Sequence, residues 1–192
     1  MEVEIVEIKE EEKEVLLNLI EKYLYEFSQW EKTDVNVEGN YGYEYLDCYF
    51  EEENRYPYFI KVDGKLAGFA MISDYPEVPE ETTDYCLSEL FVMYKYRRGG
   101  VGRKAVNSVL DKHHGKWQLK RHPHNIVSVK FCRMMNVLFL CVGKIQSGIR
   151  NGSRGNTKHI WKQENVVLLS RRCRKKNRNS RWKNVTLSGK SH

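Results

Sequence analysis

No apolar run in this 192-residue chain exceeds the six residues from Val137 to Val142, far short of the roughly 20 that a membrane-spanning helix needs. Met-Glu-Val-Glu-Ile opens acidic where a secretory leader is basic and then apolar, so no secretion and a cytoplasmic protein are expected. The five cysteines, Cys48, Cys86, Cys132, Cys141 and Cys173, are odd in number and form no C-x-x-C pair, which fits a reducing compartment better than a disulfide framework. Acids run out beyond residue 135, where Glu164 stands alone against 14 Lys and Arg, whereas residues 1–135 carry 18 basic and 25 acidic side chains. The net +6 therefore joins a mildly acidic domain to a basic end. Aromatics at 12% and apolar residues at 41% exclude a disordered chain and support one buried core.

Local patterns divide the chain. Val3, Ile5 and Ile8 predict a short strand, and Glu10-Glu11-Glu12 suits the start of a helix. Leu16, Leu19, Ile20, Tyr23, Leu24 and Phe27 keep the three-four spacing of an amphipathic helix. A second helix is expected across residues 42–53. Two β-rich runs, 58–62 and 66–72, flank Asp63-Gly64-Lys65, a strong hairpin signal. After a loop broken by Pro76 and Pro79, residues 86–94 read as a buried central strand, residues 117–120 as a short one, and Asn125 as the cap of a further helix.

The central strand runs into Arg97-Arg98-Gly99-Gly100-Val101-Gly102 and then a helix face at Val106, Val109 and Leu110. Glycines let an anion approach backbone amides that a Cβ would screen. The helix adds unpaired N–H groups and the positive end of its dipole. With Arg97, Arg98, Arg103 and Lys104 close by, this is a diphosphate cradle. Neither G-x-x-x-x-G-K-[ST] nor G-x-G-x-x-G with a following ribose-binding acid is present.

Over about residues 1–132 the sequence resembles the GNAT superfamily of acyl-CoA-dependent N-acyltransferases. Arg97, Gly100 and Gly102 fill the family's [Q/R]-x-x-G-x-[G/A] signature, and Asn125, Ser128 and Phe131 match its later N-x-x-[A/S]-x-x-[F/Y] segment. The resemblance implies an α/β fold, a mixed, mostly antiparallel twisted sheet flanked by helices, here with an atypical basic C-terminal segment. It implies acetyl-CoA as co-substrate and an amine acceptor, small molecule or peptide. Main-chain groups of Val92, Met93 and Tyr94 would pair with the pantetheine arm, and amides from Arg98 through Gly99, Gly100, Val101 and Gly102 to Arg103 would hold the pyrophosphate. Asn125 would stand near the cofactor where the fourth and fifth strands splay.

Transfer in this family is direct, so catalysis needs an amine base and an acid for the departing thiolate. Glu89 occupies the strand position from which relatives deprotonate the amine; a strand carboxylate satisfied by a neighbouring donor is the alternative. Relatives place a tyrosine as acid where this chain has Cys132, which leaves a thiol or an inert buried cysteine and predicts slow turnover. Acids at Glu77, Glu80, Glu81 and Asp84 would favour a cationic acceptor such as a polyamine or lysine, or form a solvated loop. His113-His114 and His122-Pro123-His124 match no zinc spacing, so no metal is expected.

The family pattern stops near Arg133. Residues 137–142 and 166–169 can supply two further strands, and the expected division is a domain over 1–146 and a basic tail over 147–192, disordered or read in a shifted frame. That tail, with Trp161 and Trp182 among its cations, defines the alternative class: a nucleic-acid-binding protein held by phosphate contacts and base stacking. No membrane partner is expected, and monomer and homodimer are both open.

Overall fold

The computed structural model describes residues 1–76, 83–122, 124–134, 140–145 and 164–170. Strand β1 (Val3–Glu7) leads through a short turn into helix α1 (Lys13–Glu31) and a brief α2 (Cys48–Glu51). Then come β2 (Arg55–Val62), β3 (Lys65–Ser73), β4 (Tyr85–Val92), α3 (Val101–Lys112), β5 (Lys116–Arg121), α4 (Ile126–Met134), β6 (Leu140–Ile145) and β7 (Glu164–Ser170). One sheet of seven strands runs in the order β1-β2-β3-β4-β5-β7-β6. Among the described strands only β4 and β5 pair in parallel, with α3 as their crossover. The mixed, mostly antiparallel sheet flanked by helices is the architecture that the family resemblance implies.

Local chemistry accounts for the elements. Leu16, Leu19 and Ile20 bury the first turns of α1 against Phe59, Phe69, Met71 and Phe91 on one sheet face. Val106, Val109 and Leu110 of α3 cover the other face, on Tyr58, Ala70, Ile72 and Leu87. Burying each such side chain contributes about 1.5–3 kcal/mol. Asp63 and Gly64 adopt φ of 49° and 73°, the left-handed pair that a two-residue hairpin demands. The second helix is much shorter than expected. The Glu21 carboxylate accepts the amides of Tyr41 and Gly42, each at 2.8 Å, and holds that stretch in an extended loop.

Strand β7 lies inside the 147–192 stretch expected as a tail, yet its backbone pairs with both β5 and β6. Its apolar run, Val166 to Leu169, completes the outer edge of β5. The rest of 147–192, with the expected phosphate-binding cations, lies outside the described residues. Among the described residues no helix is long and apolar enough to cross a membrane.

A buried histidine closes the α3 end of the core. His113 Nε2 lies 2.8 Å from the Tyr58 hydroxyl, among the rings of Tyr56, Tyr85 and Trp117. Burial lowers its pKa, Lys112 adds to the effect, and Glu7 opposes it. The folded state therefore binds this proton less readily than the unfolded chain, and stability falls as pH drops below about 6.5 toward the folded value. Denaturant unfolding at pH 7.5 and 5.5 should show a steeper loss for the native chain than for His113→Gln, which keeps a partner for Tyr58. Identical losses would exclude His113 as a source.

Candidate active site

Strand β4 reverses its facing in the middle. Ile72 of β3 pairs with Leu87, but Met71 pairs with Glu89, so Ser88 is an extra, bulged residue. Leu87 packs with α3, whereas Phe91, four residues on, packs with α1. Regular alternation would keep both on one face. The bulge turns Glu89 toward α1 and the loop before α2. There the Tyr23 hydroxyl donates a short hydrogen bond to Oε2, and the Tyr43 hydroxyl donates to Oε1 at 3.2 Å.

Burial and the Glu89 charge push the Tyr23 and Tyr43 phenols far above their ordinary pKa, so both stay protonated as donors. Tyr49 is raised as well, chiefly by burial. Beside this cluster a groove of about 570 Å³ runs between α1, the loop after it and the end of β4. Glu21, Tyr25 and Glu26, then Asn40 and Tyr41, then Phe91, Met93 and Tyr94 line it. Its carboxylates are already engaged: Glu21 by the loop amides and Glu26 by Arg97 Nη2 at 2.6 Å.

Strands β4 and β5 pair only from Tyr85 to Leu87 against Trp117 to Leu119 and then part, leaving Ser88 to Val92 without a β5 partner. Met93 N still reaches Ala67 O at 2.8 Å, and Val92 O accepts Arg97 Nε at 2.5 Å. Tyr94 is exposed under the Arg97 guanidinium, 4.0 Å from its ring centre. Arg97, expected among the cations of the cradle, is thus turned back to α1 and β4.

Arg98 and Gly100 take left-handed φ of 65° and 77°, and α3 starts directly after them. Its first backbone bond is Lys104 N to Gly100 O, so the amides of Val101, Gly102 and Arg103 have no acceptor within the helix. A Cβ on Gly102 would stand 3.3 Å from the Phe131 ring and 3.7 Å from Val92, so α3 is seated closely on α4 and β4. Gly99, Arg98 and Arg103 lie at the surface.

Asn125 caps α4, its Oδ1 accepting Ser128 N at 3.0 Å. Cys132, one turn beyond Ser128, is buried at 5% exposure. Asp84 accepts Lys116 N at 2.7 Å and ties the starts of β4 and β5 together. Glu77, Glu80 and Glu81 lie outside the described residues. His122 stacks on Trp30 and lies 3.2 Å from Glu31. Tyr23 and Tyr43 carry no motif; in the sequence Tyr23 reads only as an aromatic on the apolar face of its helix and Tyr43 only falls within the expected 42–53 helix, 66 and 46 positions from Glu89.

A strand whose partner diverges, a left-handed turn and a helix with open amides thus follow one another in a mixed sheet. The chain belongs to the acetyltransferase (GNAT) family, whose model matches residues 19–136. No curated protein matches it significantly. Solved structures share the fold. A GNAT-family acetyltransferase from Streptococcus agalactiae has 13% identity and a TM-score of 0.65 over 89% of this chain and 96% of its own. The ribosomal-protein-S18-alanine N-acetyltransferase of Escherichia coli has 14% identity and a TM-score of 0.54 over 91% and 98%. Arabidopsis thaliana NAA60, solved with a bisubstrate analogue, has 16% identity and a TM-score of 0.57 over 87% and 97%. Membership indicates an acyl-CoA-dependent acetyltransferase.

Proposed function

We propose that this chain moves an acetyl group from acetyl-CoA to a primary amine by direct attack within a ternary complex. One observation carries the reading. Strand β4 presents a carboxylate at Glu89, loses its β5 partner just before it, and ends in the turn that opens α3. The β4 edge beyond the end of the β5 pairing suits an added strand-like arm, and the amides of Val101 to Arg103 suit a diphosphate. The acceptor enters the groove, which shares Phe91 with the Glu89–Tyr23 cluster and whose volume matches a small-molecule site or the end of a peptide.

Glu89 takes a proton from the ammonium, directly or through water, and the amine forms its C–N bond at the thioester carbonyl. The tetrahedral intermediate then breaks its C–S bond, and the thiolate leaves as CoA-SH after gaining one proton. The net products are the amide, CoA-SH and one released proton. Cys132 is the candidate donor to the thiolate, but its burial on α4 favours water in that role. The groove's compensated charges and aromatic walls suit an amine on an apolar or aromatic body, and they supply less to a polycation.

Calorimetry with CoA, followed by a screen of amines and N-terminal peptides for thiol release, tests the reading. Micromolar CoA binding with amine-dependent release is expected; a chain that neither binds CoA nor releases thiol is no acetyltransferase. The basic segment favours a second property, non-specific nucleic-acid binding, whose affinity would fall steeply with salt.

A further inference from the structure

We propose that Tyr23 and Tyr43 form a two-phenol clamp that keeps Glu89 ionised and fixed in direction, so that the β4 carboxylate still works as a base at low pH. The inference rests on reading Glu89 as the amine's base. Neither tyrosine belongs to the glycine-rich turn or to the later asparagine segment. They come from different elements, α1 and the loop before α2, and each takes one oxygen of the same carboxylate.

The geometry limits what else these phenols can do. Tyr23 is wedged edge-on between Phe69 and Phe91 and lies against Phe27, so its ring cannot swing to another acceptor without breaking the aromatic cluster. Tyr43 packs against the same core cluster. Burial and the Glu89 charge raise the pKa of both phenols, which favours them as donors to Glu89.

A donor that bonds the charged form of an acid favours that form, whereas burial disfavours it. Glu89 is half-buried beside Phe91 and Met71, where an unclamped carboxylate would tend to pick up a proton. Other ionisable groups around the cluster carry like charge or are engaged elsewhere. Glu26 and Glu31 of α1 carry the same sign as Glu89 and act on Tyr23. Arg97, from the turn, is committed to Glu26 and Val92. Tyr49 of α2 bonds to Ser88.

The role assigned is positioning. The phenols set the protonation and direction of Glu89 and do not themselves take the amine's proton. The bulge at Ser88 gives the arrangement its sense, since it brings Glu89 onto the tyrosine face of the sheet.

Carboxyl-carbon NMR of the full chain labelled at glutamate, with Glu89→Gln assigning the signal, tests the clamp directly. Tyr23→Phe and Tyr43→Phe keep ring packing and remove one donor each. Each should raise the Glu89 midpoint by about one pH unit, and the double variant by more. The acid limb of kcat/KM, read by thiol release, should rise by the same amount while the plateau at high pH stays near that of the native chain. An unmoved midpoint overturns the clamp. A midpoint that rises while the limb stays put makes the contact merely structural and also overturns it. An active native chain whose acid limb survives Glu89→Gln removes the base reading itself. Absence of any transfer removes the acetyltransferase reading and the inference with it.

Discussion

Tryptophan at both Gly100 and Gly102 should weaken CoA binding at least about 100-fold, near 2.7 kcal/mol. Two effects combine. Gly100 holds φ of 77°, where a side chain costs about 1–2 kcal/mol, so the turn that aims the amides relaxes. Gly102 lies on the first turn of α3, and its Cβ would press on the Phe131 ring at 3.3 Å, so an indole there must shift α4 or cover the open amides. Hydrogen bonds to a charged group contribute about 1.5–3 kcal/mol each, and losing two from a diphosphate already exceeds the expected loss. Calorimetry with CoA gives the readout, and a thermal melt establishes that the variant is folded. A folded variant that binds CoA as the native chain does would show that the cradle lies elsewhere.

Glu89→Gln should lower kcat by about 10²–10⁴-fold, the usual worth of a positioned acid–base group, and leave CoA affinity almost unchanged. The separation follows from the two faces of the sheet. Glu89 turns to α1 and the loop before α2, and the amides that would meet the diphosphate begin α3. Cys132→Ala in parallel locates the second proton. An unchanged kcat means that water protonates the thiolate, and a drop of similar size makes the thiol the acid. Thiol release with the best amine from the screen reads both variants, and calorimetry with CoA controls for binding. Full activity in Glu89→Gln would leave the carboxylate as a strand residue satisfied by its two phenols.

Much of the fold was legible because its signals are local. Asp63-Gly64 marks its hairpin through two left-handed residues, and Asn125 marks the start of α4 through one cap bond. Helix α1 is written in its apolar spacing. The second helix shrank to Cys48–Glu51 for a reason no window of sequence contains: Glu21, 20 residues earlier, takes the Tyr41 amide. The strand inside the basic segment was readable from Val166 to Leu169, but its place between β5 and β6 was not.

What the sequence determined by itself is the proposed cradle's backbone, because strand end, glycine turn and helix start are contiguous from Val92 to Arg103 and need only backbone conformation to form it. The tertiary structure alone decided the carboxylate and its surroundings. A one-residue bulge at Ser88 chooses the face of Glu89, phenols 66 and 46 positions away take its oxygens, and Glu26, 71 positions from Arg97, draws that guanidinium back to α1. Backbone turns are set by neighbours along the chain, whereas a side chain's charge and direction are set by neighbours in space, which only the packed sheet brings together.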